Sequence, residues 1–125
     1  KYIIVESLDV SKKEFYSYFL STSKFYYDLS NSVQSPPIVC EMLYEAINSG
    51  IKLLSYYFSL QDKPRSDTIR DLSSILGDWV EHYWNLGITL HYDCYLSGNV
   101  DEQDLPFYID QVKEFINKVE EVVFD

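Results

Sequence analysis

The chain has 125 residues, enough for one domain that buries a sizeable core without staples. Hydrophobic residues make up 46%, which excludes a disordered chain, and aromatics reach 17% through 12 tyrosines and 7 phenylalanines. The net charge of −10 disfavours non-specific binding to a phosphate backbone, and no run of eighteen apolar residues provides a membrane span. Two cysteines in no metal or disulfide pattern point to a reducing, cytoplasmic compartment.

In chain order, Tyr2 to Glu6 (YIIVE) is a short apolar run that fits a strand or an arm, so residues 1–10 read as an N-terminal arm of a single domain spanning 1–125. Ser11 and Glu14 then form a capping box, with Ser11 set to accept from the Glu14 backbone N–H. At 100° per residue, Phe15, Tyr18, Phe19, Thr22, Phe25, Tyr26 and Leu29 share one face of the helix that follows. That face is the expected core contact. Lys13, Ser17, Ser21, Lys24 and Asp28 share the other.

Ser35-Pro36-Pro37 starts a second helix, with Ser35 as N-cap and Pro36 where its missing N–H costs nothing. Glu41, Glu45, Asn48, Lys52, Ser55 and Ser59 make a narrow polar strip, of which Glu41 and Glu45 read as solvated, and nearly everything else to Phe58 is apolar or small. Such a helix is contacted on several sides. Ala46 and Gly50 lie in its apolar arc, and a glycine there, costing about 1 kcal/mol against alanine, suggests a neighbour in close approach.

A loop at QDKPRSD leads to a short helix capped by Ser66 or Asp67 and carrying Ile69, Leu72, Ile75 and Leu76, with Gly77-Asp78 as its end or a bend. Lys12, Lys13 and Lys24, and Lys63, Arg65 and Arg70 around this loop, read as solvated charges. The segment from Trp79 to Tyr95 forms the next helix and stops at Ser97-Gly98-Asn99. Asp104-Leu105-Pro106 opens the last one, whose inner face holds Ile109, Val112, Phe115, Ile116, Val119, Val122 and Val123. No segment alternates with period two. The expected fold is all-α, an up-and-down bundle of four long helices plus one short helix.

The chemistry-bearing side chains concentrate in WVEHYWNLGITLHYDCY (79–95). On a helical projection His82 falls among polar residues and His91 inside the apolar arc, one turn from Gly87 and Tyr95. Nine residues apart on one helix, the two histidines cannot share a metal. His91-x-x-Cys94 supplies two ligands where zinc takes at least three from protein. The ordinary role for His91 is a buried hydrogen bond to a tyrosine, serine or carbonyl, and the functional one is to face a ligand in a bundle cavity. No phosphate loop, HExxH, GxSxG or EF-hand spacing is present. No cofactor and no metal is expected.

CEMLYEAINSGIKLLSYYF (40–58) resembles the second helix of HEPN-like domains (higher eukaryotes and prokaryotes nucleotide-binding) and is most similar to archaeal PaREP-type proteins grouped near them. Ala46 and Gly50 match small-residue positions, and LHYDCY (90–95) is similar to a leucine-histidine, aromatic, tyrosine ending. The resemblance, over about two-thirds of the chain, implies a helical bundle, often a homodimer, associated with a partner protein or a nucleotide. It also implies Gly77 breaking residues 66–97 into two antiparallel helices. The last piece would then run parallel to the second helix, with Cys40 and Cys94 at opposite ends, beyond the ~7 Å a disulfide spans. Ribonuclease relatives carry Arg, four to six residues, then His, and no such pair exists here. The expectation is therefore a non-catalytic binding or assembly module. His91, Tyr95, Gly87 and Gly50 are its candidate ligand-binding residues, and no catalytic residue is assigned. The alternatives are a small-molecule carrier with an aromatic inter-helix cavity, and a ribonuclease or hydrolase using His91.

Overall fold

The computed structural model describes the backbone of residues 2–124 and the side chains of residues 12–124. The fold is all-α, with no strand among the described residues. Helix α1 spans Tyr2–Ser30, α2 Pro36–Tyr57, α3 Arg65–Leu76, α4 Trp79–Thr89 and α5 Leu105–Phe124. A π-helical segment, Leu90–Leu96, extends α4, and a 3₁₀ turn, Glu102–Asp104, leads into α5.

The N-terminal expectation is corrected. Helix α1 runs unbroken from Tyr2, so residues 2–10 are helical and not a strand, and no helix begins at Ser11. A capping box acts only where the preceding chain is non-helical. Here the backbone upstream is helical, so the Glu14 N–H belongs to the helix ladder.

Helix α2 begins where its prolines predict, with extended backbone at Ser35, although the Ser35 hydroxyl makes no cap bond. It is the central element, contacted by α1, α4, the π segment and α5. Leu43, Ala46, Ile47, Ile51, Leu53 and Leu54 are all fully buried. The two small residues have the close neighbours expected of them. The Ser23 hydroxyl of α1 donates to the Ala46 carbonyl at 2.7 Å. A Cβ added at Gly50 would lie 2.5 Å from Cε2 of Phe115 on α5. The polar strip is mostly covered rather than solvated: Ser55 is buried, bonding back to the Ile51 carbonyl, and Glu41, Glu45 and Asn48 are half-buried.

Helix α1 packs with an unexpected face. Leu20, Ser23 and Ser30 are its buried residues, while Phe15, Tyr18 and Phe25 are exposed. Small serines let the α1 backbone come close to α2, and of the aromatic stripe only Phe19 and Tyr26 pack against the core. The inner face of α5, by contrast, is as expected, with Val112, Phe115, Ile116 and Val119 buried.

Gly77 does break the chain. Its φ of +120° suits glycine, its N–H bonds the Ser73 carbonyl, and the Trp79 indole N–H caps Leu76 O at 3.1 Å. Helix α3 starts at Arg65, one residue before the expected caps. It packs on α4 and barely touches α2. It therefore does not carry the chain along α2, and α4 runs antiparallel to α2. Gly87 packs on Tyr44 and Ile47, His91 meets Glu41, and Cys94 meets Cys40. The expectation of cysteines at opposite ends is overturned. They form a disulfide with Cα atoms 6.0 Å apart, both residues buried.

Candidate functional site around His91

At the Cys40 end of α2, the π segment lays four polar or aromatic side chains against it. A π turn opens the ladder by one residue, as the bond from Ser97 N–H to Tyr92 O records. Within it His91 Nδ1 lies 2.7 Å from Glu41 Oε1, with the side chains 24% and 16% exposed. The partner is therefore a carboxylate, and the reading of Glu41 as solvated is corrected. Both helices had been assigned separate polar and apolar faces, and only their antiparallel register brings this pair together.

Aromatic rings enclose the imidazole. The Tyr44 ring is 4.5 Å away, Tyr92 packs edge-on at 4.8 Å, and Tyr95 stacks at 6.0 Å. Burial, with Glu45 and Glu41 nearby, pushes the Tyr44 phenol above its ordinary range, so it stays neutral and a hydrogen-bond donor. The Glu41 carboxylate facing Nδ1 orients the imidazole and leaves Nε2 on the opposite side of the ring. An oriented imidazole of this kind can accept a proton or a hydrogen bond. The disulfide pins the same junction one turn further on.

Of the four candidate ligand-binding residues, His91 and Tyr95 come together and Gly87 lies one turn away. A Cβ at Gly87 would meet Ile47 Cγ2 at 3.3 Å, so its absence serves close packing of α4 on α2. Gly50 is elsewhere, covered by Phe115 and Val119. His82 is exposed, with Nε2 3.5 Å from Gln111 Oε1, and does not approach His91. No group of three metal-capable side chains gathers among the described residues.

Sequence reasoning missed Glu41 and Arg65. The Arg65 guanidinium is half-buried, 5.1 Å over the Trp84 ring, and burial lowers its pKa. Its Nη1 is buried without a hydrogen-bond partner. The proline before it was the only signal, since Pro64 is the N-cap that turns Arg65 into the first turn of α3.

His91→Ala is expected to destabilise the protein by about 1–3 kcal/mol, since it strands a half-buried carboxylate. Glu41→Gln, which keeps an oxygen acceptor, should cost less. Urea unfolding of both variants checks the order, and equal losses would mean that ring packing, not the ion-type pair, carries the contact.

Compared with known protein families, characterised proteins and solved structures, the chain matches none.

Proposed function

We propose that the chain is a non-catalytic helical binding and assembly module that pairs with a second copy of itself through the outer face of α1. One observation carries this reading. Although Phe19 and Tyr26 of the α1 aromatic stripe pack against the core, its outer edge leaves Tyr18 66%, Phe25 60% and Phe15 41% exposed. Isolated exposed apolar residues need no explanation, but three large rings on one stripe of one helix do. Aromatic rings are the side chains that interfaces favour at their centres. A second copy fits because the stripe itself carries no charge, whereas each chain as a whole carries −10, so pairing brings together the neutral face.

The HEPN-like, PaREP-type resemblance is consistent with this reading, as is an up-and-down arrangement in which α4 with its π extension counts as the fourth long helix. On the same resemblance, a nucleotide or a second protein is the wider partner of such a module. The His91–Glu41 pair supports it in another way. It joins an imidazole nitrogen to a carboxylate across two helices, and we read it as a fastening and not as the centre of a hydrolase or ribonuclease. A cytoplasmic location remains part of the proposal even with a disulfide, because intracellular proteins of hyperthermophilic archaea are disulfide-rich. The described helices include none long and apolar enough to cross a membrane.

Size-exclusion chromatography with light scattering, over a hundredfold range of concentration, tests the pairing. The expected result is a dimer that Tyr18→Glu with Phe25→Glu converts to a monomer with unchanged helical content. A wild-type chain that stays monomeric at the highest concentration rejects self-association.

A further inference from the structure

Two clefts adjoin at the far end of the bundle from His91, where α1, the C-terminal end of α2 and the α2–α3 loop meet. One, of about 280 Å³, is lined by Phe19, Ser55, Tyr56 and Thr68 together with Lys52, Lys63 and Arg65. The other, of about 370 Å³, is lined by Phe15, Tyr16, Tyr56 and Tyr57 together with Lys12. Tyr56 and Gln61 line both, so the two clefts lie side by side as one depression of the surface, basic on one side of Tyr56 and aromatic on the other.

The charge pattern is the informative feature. Acidic residues outnumber basic ones by 20 to 10 in this chain. Yet among the described residues the two clefts are lined by four of those cations and by no aspartate or glutamate. Lys63 is paired with Asp71, whose carboxyl it holds below the usual range. Among the described residues Arg65, which lies over the Trp84 ring, has no carboxylate partner, and its Nη1 is buried without a hydrogen bond. A partly desolvated guanidinium left unpaired in a strongly acidic protein is costly, and an oxyanion from outside offsets that cost. Beside it the edge-packed rings of Phe15 and Tyr56, with centroids 4.9 Å apart, and of Tyr16 and Tyr57, 5.3 Å apart, form a preformed apolar wall. The aromatic cleft is within the volume range of small-ligand sites and the basic one falls just below it.

We propose that this depression binds a small aromatic anion, with its oxyanion held by Arg65 and Lys52 and its ring against Phe15, Tyr16 and Tyr57. The inference goes beyond the self-association reading: Phe15 belongs to both surfaces, whereas Tyr18 and Phe25 lie outside the lining residues, so the Tyr18→Glu, Phe25→Glu variant separates the two.

The test is calorimetric titration of the intact protein with phenyl phosphate, inorganic phosphate and phenol as separate probes. Phenyl phosphate is expected to bind saturably, at one per chain and more tightly than either half. Lys52 is exposed and makes no ion pair, so Lys52→Glu should fold normally and weaken phenyl phosphate by about tenfold or more. Tyr57→Ala should weaken phenyl phosphate while leaving inorganic phosphate unchanged. Arg65→Lys, which keeps the charge but loses the fork, serves as a milder second variant. Failure of phenyl phosphate to saturate at millimolar concentration overturns the proposal. So does binding that Lys52→Glu leaves unaltered, or phosphate binding as tight as phenyl phosphate. Light scattering on the same samples reports the dimer separately, so loss of one property is distinguished from loss of the other.

Discussion

Removing the Cys40–Cys94 crosslink is expected to lower the free energy of unfolding by about 4 kcal/mol, the chain-entropy value for a closed loop of this length. The two residues are 54 apart in sequence, and the loop between them contains most of α2, all of α3 and α4, and the start of the π segment. The crosslink acts by restricting the unfolded chain, so the loss should appear mainly in unfolding free energy and little in helical content. Reduced wild-type protein and Cys40→Ala with Cys94→Ala provide two comparisons. The first keeps both sulfur atoms in the core and isolates the crosslink, and the second adds the loss of packing. Urea unfolding followed by circular dichroism measures both. Thiol titration of the native, untreated protein should find no reactive thiol. Two titrating thiols in freshly isolated protein, or reduction that leaves the midpoint unmoved, would refute a stabilising bond. Since domains are stable by only about 5–15 kcal/mol, the reduced protein would unfold at markedly lower denaturant concentration.

Phe115→Ala should cost about 3–5 kcal/mol, and Gly50→Ala should also destabilise. In the open, Gly50→Ala would gain about 1 kcal/mol of helix propensity. Here the new methyl would sit 2.5 and 2.8 Å from Cε2 and Cζ of Phe115, a side chain with no exposed surface. That ring cannot yield easily. Tyr83 packs on it at 5.4 Å and Trp79 at 6.4 Å, and Tyr83 is itself held by Glu114 at 3.2 Å. The overpacking cost of about 1–3 kcal/mol therefore exceeds the propensity gain. Gly50→Ala combined with Phe115→Leu should be more stable than Phe115→Leu plus the Gly50→Ala loss would predict, because the shorter side chain vacates the disputed volume. Additive losses in that double-mutant cycle would show that the contact does not set the cost.

The inner face of α5 and the start of α2 at its prolines were readable because each depends on a local pattern with one solution. Val112, Phe115, Ile116 and Val119 repeat at helical spacing with charged residues between them, and that helix could bury only one side. Ala46 and Gly50 were readable as places of close approach, though not as to what approaches. Helix α1 was misread because it has two eligible faces. Its aromatic stripe is the more hydrophobic, but Ser23 and Ser30 face inward, and Ser23 takes the Ala46 carbonyl as its partner. Periodicity ranks faces by hydrophobicity and carries no information on how closely two backbones pack.

The His91 site shows the same division. Helical projection alone turned His91 and Cys94 inward. Their partners, Glu41 and Cys40, depended on the direction of α4 relative to α2, and that direction depended on where α3 leads the chain after Tyr57. The amino-acid sequence by itself determined an all-α chain, where most helices stop and which residues are too small to be anything but contact points. Those properties follow from backbone conformational preference and side-chain spacing within a few turns. Only the tertiary structure decided which face of α1 meets the core, which carboxylate meets His91, that the two cysteines meet at all, and that four cations line two adjoining clefts with no acid among the described residues there. Each of these is a relation between segments tens of residues apart, set by the packing of whole helices against one another.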